Sequence, residues 1–310
     1  MYLNKRFISL SIVLGLTIVL YSCLDDAQKI ESYQVRASKN QVAKLANSNK
    51  NCGIKSLKFT TTNNQGNNDS NGSNYVIIFD PKSPKLDFKV SLALTHNIYA
   101  KDAQGKLRKD YIPKQFHEII ADKNAKLNGK SPIAAINGDY IDPENNPQGL
   151  NISRGVEYSG AFKNKRSSFG ISGGNPQQRK ATIGIGRRKE KILNYNLVGG
   201  NGRFYKNGVF KDVCQALGEY ACQQETSRSI VAITSKGYVI LLVNNSRQEK
   251  ALYPNQFDNV LEGIAKNHCL GKIQEGMLFD GGYSTGLYYN QKIYVENFNP
   301  IGSVFLIYQK

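Results

Sequence analysis

Two short segments of the sequence end an apolar run on polar side chains beside glycine. In AAINGDYID (residues 134–142) the run ends at Asn137, Gly138 and Asp139, and in MLFDGGYST (277–285) it ends at Asp280 before two glycines. Glycine permits a positive φ and lets a ligand approach the backbone, and successive N–H groups in such turns can bind an anion. A partly desolvated carboxylate beside them could stabilise positive charge or transfer a proton.

The same two segments have a simpler interpretation. Asn-Gly and Asp-Gly are common in tight hairpin turns, so each segment could be an ordinary turn without chemistry. What favours a site is that both segments follow a short apolar strand, which would hold the polar groups at a strand end.

The elements that must position these residues are mostly strands. Apolar runs of five to eight residues, separated by Gly, Asn or Lys, predict about ten strands. Helical spacing of apolar residues predicts one helix from Ile112 to near Gly129 and a second over 255–269. We therefore expect an α+β fold over residues 51–310: a β-rich single domain of mixed sheets with a few packing helices. The predicted strands cover 56–60, 74–80, 85–95, 132–137, 166–172, 180–186, 203–210, 228–234, 237–243 and 303–308.

The N-terminus has the pattern of a secretion signal. Lys5 and Arg6 precede an uncharged apolar run over 7–22, which is shorter than the roughly 20 residues that a bilayer-spanning helix needs. Cys23 follows in a position that resembles a bacterial lipobox. We predict that residues 1–22 are a lipoprotein signal peptide and that Cys23 is lipidated. An uncleaved anchor, or a plain signal peptide with an incidental cysteine, remains the alternative.

This signal predicts where the protein resides. Leu24, rather than an aspartate, follows Cys23, and by resemblance to lipoprotein sorting rules this favours the outer membrane. We expect a lipid-anchored protein of the bacterial cell envelope that faces the periplasm or the surface. Residues 23–50 are polar and rich in Lys, Asn and Gln, which is typical of a flexible tether.

The remaining cysteines fit an exported protein. An even set of four suggests disulfides, and Cys214 and Cys222 are the best candidates because seven residues separate them. No CxxC pair or paired histidine indicates a metal site. His96, His117 and His268 are scattered, which favours structural roles.

The chain is strongly basic, with a formal net charge of +17. A Lys-rich surface could simply keep the protein soluble, or it could attract anionic partners such as lipid head groups or phosphate-containing glycans. Export argues against nucleic acid as a partner, and the sequence has no arginine-rich repeat that would support one.

Six segments occur in a fixed order along the chain: INGDYID (136–142), QGLNIS (148–153), KRSSFGI (165–171), SRSIVAITSKGYVILLV (227–243), the helix at 255–269 and LFDGGYST (278–285). This ordered set resembles the phosphodiester glycosidases, the family related to N-acetylglucosamine-1-phosphodiester α-N-acetylglucosaminidase. The resemblance spans roughly residues 55–310. The chain departs from the family pattern where Asp139 and Tyr140 replace Gly-Phe, where Tyr283 replaces a third glycine, and where NFNPIGSVFLIY (297–308) lacks the usual Arg before the C-terminal strand.

The resemblance implies cleavage of a sugar from a phosphodiester at the anomeric carbon, and therefore an anionic sugar-phosphate glycan as substrate. It implies that Asp280, Asp139 and Arg228 are catalytic, with Asp280 as nucleophile, base or charge stabiliser and Arg228 as a bidentate phosphate clamp. The residues expected to bind substrate are Asn137, Gly138, Gly149, Asn151, Lys165, Arg166, Gly281, Gly282, Ser284 and Thr285.

Two questions stay open at this point. We expect no cofactor, although a divalent metal held by Asp139, Asp142 and Asp280 is an alternative without support from ligand spacing. The departures at Asp139 and Tyr283 also allow a non-catalytic glycan-binding or structural envelope lipoprotein with the same fold.

Overall fold

The computed structural model describes residues 52–310, except 93, 102–106, 113, 144–146, 158–165, 186–194, 212, 215–221, 247–249 and 297. The predicted signal peptide, Cys23, the tether and Lys165 lie outside the described residues. Residues 53–310 form one compact unit. In the part of the chain that is described, no helix is both long and apolar enough to cross a membrane.

The described residues form nineteen strands and two short α-helices. The first part of the chain contains β1 (Leu57–Thr62), β2 (Asn74–Phe79), β3 (Leu86–Leu92), β4 (Leu94–Lys101), β5 (Leu107–Tyr111), α1 (Phe116–Ala121), β6 (Ala134–Asn137), β7 (Ile152–Ser153), β8 (Val156–Glu157), β9 (Ser167–Ile171) and β10 (Ala181–Ile185). The second part contains β11 (Asn196–Gly199), β12 (Asn201–Lys206), β13 (Val209–Phe210), β14 (Arg228–Thr234), β15 (Val239–Asn244), α2 (Phe257–Asn267), β16 (Ile273–Leu278), β17 (Gly286–Tyr289), β18 (Lys292–Glu296) and β19 (Ser303–Gln309).

The strands assemble into three main sheets and one two-stranded ribbon, β4-β5. The orders are β1-β2-β15-β14-β16-β12-β13, β10-β9-β11-β7-β8 and β18-β17-β6-β19-β3. The expected β-rich α+β class is confirmed. Strand direction is more uniform than the expected mixed sheets, since every strand pair among the described residues is antiparallel. Antiparallel neighbours need no helical crossover between them, which is consistent with the scarcity of helices.

The seven-stranded sheet is buried on both faces. Along β2, Ile77 and Phe79 pack into the core shared with the other two sheets, whereas Val76 and Ile78 face a second core beneath α2. A strand covered on both sides reads as a continuous apolar run, as in NYVIIF. The buried residues of α2 recur at helical spacing and complete the second core: Phe257, Val260, Leu261, Ile264 and Ala265.

The first predicted helix is the main error in the sequence-based elements. Its N-terminal part is β5, which ends at Tyr111, and α1 begins only at Phe116. Ile112, expected on the apolar face, is 51% exposed, and a residue before proline disfavours the helical conformation. Asp122 then ends α1 in an extended conformation, and its side chain accepts a hydrogen bond that starts a separate 3-10 turn.

The segment predicted as one strand over 203–210 is a hairpin. Asn207 and Gly208 have φ of 52° and 78° and form the turn between β12 and β13. Two consecutive positive φ values are typical of a type I′ turn, which Asn-Gly favours.

Candidate active site

A pocket of about 370 Å³ lies where the seven-stranded sheet meets the end of β6. Its volume falls within the range of small-molecule sites, about 300–1,000 Å³. Four of the residues expected at the site line it: Asp280, Arg228, Gly281 and Gly282.

The two glycine-bearing segments meet at this pocket, as expected from their similar patterns. The backbone N–H of Asp280 donates to the carbonyl oxygen of Gly138 at 2.9 Å. The side-chain amide of Asn137 donates to the carbonyl oxygen of Asp280 at 2.7 Å. Asp280 is therefore held on both sides of its own backbone by residues more than 140 positions earlier in the chain.

The glycines after Asp280 are required by the turn. A Cβ at Gly281 would lie 3.0 Å from the Ser227 carbonyl oxygen. Gly282 has a φ of 60° and its N–H donates to the same carbonyl at 2.8 Å. Glycine adopts this φ without steric cost, so the chain can turn sharply next to the carboxyl group.

Asp280 has an unusual protonation equilibrium. Burial raises the pKa of its carboxyl to about 7, hydrogen bonds from Ser284 and the Gly281 N–H oppose the rise, and the charge of Asp139 adds to it. The N–H of Gly281 lies 2.9 Å from Oδ1 of Asp280. A carboxyl group with a pKa near neutrality can exchange a proton at physiological pH, as acid–base catalysis requires.

Arg228 supplies the positive charge of the pocket. It is the first residue of β14, is 7% exposed, and its Nη2 donates to the Gln224 carbonyl oxygen at 3.3 Å. Burial lowers the pKa of its guanidinium. An arginine stays protonated despite such a shift, and a guanidinium in a partly desolvated pocket attracts phosphate more strongly than one in bulk water.

Tyr140 forms another wall of the pocket. Its hydroxyl donates to the Phe279 carbonyl oxygen at 3.1 Å, and the Arg166 guanidinium lies 4.8 Å from the centre of its ring. Burial raises the pKa of the Tyr140 phenol far above its ordinary value, with the Asp280 charge contributing. Arg166, expected to bind substrate, thus contacts the back of Tyr140 and lies outside the lining that the described residues provide.

Asn137 needs a correction, because we expected it to bind substrate. Its side chain is fully buried, and its Oδ1 accepts hydrogen bonds from the Ser229 hydroxyl at 2.6 Å and from the Gly286 N–H at 3.1 Å. With its Nδ2 bonded to Asp280, Asn137 joins β6 to three other segments. The structure therefore gives it a positioning role behind the pocket.

Asp139 needs a similar correction. It is 1% exposed, and its Oδ2 accepts hydrogen bonds from the Gly149 N–H at 2.6 Å and from the Asn151 amide at 2.8 Å. Burial raises the pKa of its carboxyl to about 6, and the hydrogen bond from Asn151 is the largest opposing effect. Asp139 is enclosed behind the pocket, because the Gly149 N–H and the Asn151 side-chain amide both donate to its carboxyl group. Gly149 and Asn151 accordingly bind Asp139 and are absent from the described lining of the pocket.

The other three expected substrate-binding residues also lie behind the surface. A Cβ on Gly138 would come within 2.4 Å of Val198 Cγ2 and 2.7 Å of Ser303 Oγ, so this position must remain small. Ser284 is 9% exposed and donates to the Asp280 carboxyl group, and Thr285 is 1% exposed. These residues support the turn around Asp280.

Sequence reasoning missed several residues of the pocket. Gln224 and Thr226 line it together with Arg228, and this two-residue spacing is what one face of an extended segment would show. That alternation was a usable signal. Asn201 had no such signal, because it reaches the pocket only through the pairing of β12 with β16, where it lies opposite Leu278. The other residues missed are Tyr140, Ser229, Leu278 and Phe279.

The predicted disulfide between Cys214 and Cys222 is present, with the two Cα atoms 5.6 Å apart. It ends two residues before Gln224 and so anchors the segment that carries the Arg228 wall. Cys52 and Cys269 are also disulfide-bonded. Since Cys23 is the sole cysteine left in the sequence, those two can pair only with each other.

The described residues contain no group of three or more His, Cys, Asp or Glu side chains arranged to hold a metal ion. Asp139 is already bonded by Gly149 and Asn151, as described above. The geometry therefore gives no support to the alternative in which Asp139, Asp142 and Asp280 share a metal.

Comparison with known proteins places this geometry in a family. The family model described as phosphodiester glycosidase matches residues 130–308, which include both glycine-bearing segments and Arg228. The chain belongs to the phosphodiester glycosidase family. The resemblance seen in the sequence is thereby confirmed. The search of curated proteins found no sequence match for this chain.

A solved structure shares this fold. A hypothetical protein from Synechocystis superposes with a TM-score of 0.53 at 14% identity, over 82% of this chain and 61% of that protein. The chain thus spans less than two thirds of the length of the Synechocystis protein. The zebrafish N-acetylglucosamine-1-phosphodiester α-N-acetylglucosaminidase catalytic domain, auto-inhibited by its pro-peptide, gives a TM-score of 0.47 at 14% identity, over 83% of this chain and 90% of that domain.

Proposed function

We propose that this protein is a hydrolase that cleaves the glycosyl C–O bond of a sugar-1-phosphodiester. One observation carries the proposal: the Asp280 carboxyl group and the Arg228 guanidinium line the same pocket of about 370 Å³. A phosphodiester substrate needs both a cation for its phosphate and a carboxylate near the anomeric carbon, where positive charge develops in the transition state.

Arg228 binds the phosphate in this proposal. A guanidinium can donate two parallel hydrogen bonds to phosphate oxygens, and the low exposure of Arg228 strengthens the attraction. Gln224 and Thr226 lie on the same wall and offer an amide and a hydroxyl to the ester or the sugar. The phosphate leaves as a monoester whose second pKa is about 6, so it needs little help from a general acid.

Asp280 then acts at the anomeric carbon in its ionised form, either as a base that activates water or as the nucleophile. Asp139 is enclosed by Gly149 and Asn151 and reaches the pocket only through its charge. The second carboxyl group that many glycosidases use is therefore replaced here, in our proposal, by the intrinsic stability of the phosphate leaving group.

We further propose that the protein acts in the cell envelope, anchored through a lipid on Cys23 and tethered by residues 23–50. The disulfide between Cys214 and Cys222 supports an oxidising compartment. Removal of residues 1–22, which contain Lys5 and Arg6, leaves a formal net charge of +15, which is suited to an anionic glycan substrate.

The alternative is a glycan-binding or structural lipoprotein without turnover. One observation favours this alternative. Asp139 is buried and hydrogen-bonded behind the pocket, so Asp280 is the one carboxyl group that the described residues contribute to the pocket lining.

The test uses the full chain in detergent and methyl phosphodiesters of α-glucose, α-galactose, α-mannose and α-N-acetylglucosamine. Free sugar and methyl phosphate are measured in water enriched in ¹⁸O, because cleavage at phosphorus places the label on the phosphate and cleavage of the glycosyl bond leaves the methyl phosphate unlabelled. We expect turnover of at least one ester, with methyl phosphate free of the label.

Variants assign the roles. Asp280→Asn should reduce kcat/KM at least ~100-fold, and Arg228→Lys should raise KM about 10-fold because a lysine cannot form the bidentate contact. Arg203→Lys is the matched control, since Arg203 Nε bonds Glu275 at 2.9 Å outside the pocket. Binding of the esters without turnover by the wild type would support the non-catalytic alternative, and label on the phosphate would reject the proposed bond cleavage.

A further inference from the structure

Two large aromatic side chains are exposed beside the pocket. Tyr283 is 63% exposed and Phe298 is 68% exposed, and they are the aromatic members of the exposed large hydrophobic residues in the described part of the chain. The backbone N–H of Asn299 donates to the carbonyl oxygen of Tyr283 at 3.0 Å. The two aromatic residues therefore lie on adjacent segments that are bonded to each other.

Tyr283 is continuous with the pocket. Gly282 lines the pocket, and the Cα atom of the next residue lies about 3.8 Å away across one peptide bond. Tyr283 is the middle residue of the 3-10 turn Gly282–Ser284, which is closed by the hydrogen bond from the Thr285 N–H to the Gly282 carbonyl oxygen. The ring is thus carried by the hydrogen-bonded turn that follows Asp280 and Gly281.

The exposure of these rings has a chemical meaning. A folded protein gains stability by burying large aromatic side chains, so two largely exposed rings on bonded segments, one of them next to a pocket residue, indicate a binding surface. A flat ring offers its face to the apolar C–H face of a sugar, and a tyrosine adds a hydroxyl for hydrogen bonding. The amide of Gln224 and the hydroxyl of Thr226 in the adjoining pocket suit a polyhydroxylated ligand better than a lipid chain.

We infer that Tyr283 and Phe298 form an aromatic platform that stacks on a sugar ring of the glycan just outside the pocket. The inference rests on the proposed function and extends it: the two rings add a sugar-binding subsite outside the pocket, built from residues of this chain that the proposed reaction does not use. The aromatic side chain at position 283, where the family pattern has glycine, then determines specificity for long substrates.

The kinetic test compares two esters of the sugar-1-phosphate that the full chain turns over, one with methanol and one with maltohexaose. Tyr283→Ala and Phe298→Ala should each lower the ratio of kcat/KM for the long ester to that for the short ester by on the order of tenfold. Tyr283→Phe keeps the ring and should retain most of the ratio. An unchanged ratio in both alanine variants would overturn the platform.

A binding test needs no turnover. The sequence contains no tryptophan, so Tyr283→Trp introduces a single fluorophore on the platform. Its emission should change when maltohexaose, cellohexaose or chitohexaose is added. Val209→Trp is the control. Val209 is 57% exposed and lies next to the turn of the hairpin β12-β13, whereas Asn201, which lines the pocket, is at the other end of β12.

The outcomes separate this inference from the proposed function. Turnover of the short ester with no response of Trp emission to any oligosaccharide rejects the platform and leaves the hydrolase intact. A response without turnover of any ester supports the platform and rejects the hydrolase. A shift of emission with phosphatidylcholine–phosphatidylglycerol vesicles, and none with oligosaccharides, would assign the two rings to a membrane surface and overturn the inference.

Discussion

The side-chain amide of Asn137 donates a 2.7 Å hydrogen bond to the backbone carbonyl oxygen of Asp280. Its Oδ1 atom accepts from the Ser229 hydroxyl and from the Gly286 N–H. A single buried side chain therefore fixes the turn that carries the proposed catalytic carboxyl group, and it also bonds the neighbouring strands β14 and β17.

Replacement of this amide should destabilise the whole domain. Asn137→Ala leaves a buried hydroxyl, an N–H and a carbonyl group without their partner, and we expect the free energy of unfolding to fall by on the order of 2–4 kcal/mol. Urea denaturation followed by circular dichroism measures it. Asn71→Ala, at an exposed turn, is the control. Equal effects of the two substitutions would contradict the role given to Asn137.

The pH dependence of turnover should report the Asp280 carboxyl group. Its pKa is raised to about 7, chiefly by burial. If the ionised form is the active one, kcat/KM should rise with pH and level off above about 7. Asp139→Asn removes a negative charge that raises the Asp280 pKa, so the rising limb should move to lower pH. A limb that falls with pH instead would make Asp280 a proton donor.

The stability of the fold should depend on pH through Asp139. Its pKa is raised from 3.8 to about 6, so the folded state favours the protonated carboxyl group. This contribution is complete below pH 4 and is lost as the pH rises through 6, amounting to about 3 kcal/mol.

The measurement compares wild type with Asp139→Asn by urea denaturation between pH 4 and 8, since other carboxyl groups titrate in both proteins. The difference in unfolding free energy should move in favour of the variant as the pH rises. Asp69→Asn, whose side chain accepts a hydrogen bond from the Asn71 N–H, is the control. A constant difference would mean that Asp139 is ionised throughout.

A methyl group should be tolerated at one glycine and rejected at another. Gly138→Ala would place Cβ 2.4 Å from Val198 Cγ2, whereas nothing lies within 4 Å of a Cβ on Gly184. Gly138→Ala should therefore lower the unfolding free energy by about 1–3 kcal/mol, the usual cost of overpacking. Gly184→Ala on β10 should be neutral or stabilising. Thermal unfolding of the two variants and of the wild type measures the difference in stability.

The disulfide between Cys214 and Cys222 should matter for both stability and activity. Removing it in Cys214→Ser/Cys222→Ser should cost about 2–3 kcal/mol through loop entropy. Because the loop leads into Gln224 and Arg228, KM should rise more than kcat falls. Thermal unfolding and steady-state kinetics measure the two effects. An unchanged KM in this variant would show that the sheet holds Gln224, Thr226 and Arg228 in place without help from the disulfide.

Much of the fold followed from the sequence, because strand signals are local. The helical spacing of apolar residues in α2 and the continuous apolar run of β2 directly indicate which side chains of these elements are buried. The convergence of Asp280 with Asn137 could also be expected, since both end an apolar strand on a turn with glycine. These patterns depend on neighbours in the chain and need no knowledge of the sheet order.

Other parts of the site depend on that order. Asn201 reaches the pocket because β12 pairs with β16, a relationship that no local pattern encodes. The enclosure of Asp139 depends on Gly149 and Asn151 turning inward, and a polar residue that hydrogen-bonds a buried carboxylate looks in sequence like one that binds a ligand. The burial of Asn137 was missed for the same reason.

β19 also determines when the protein can fold. It is an interior strand of its sheet, between β6 and β3, although it is made from residues 303–309. The β6 segment has no partner on that side until those residues have left the ribosome, and the N–H groups of Gly138 and Asp139 have no Ser303 to bond. Assembly of the pocket thus waits until β19 has been synthesised.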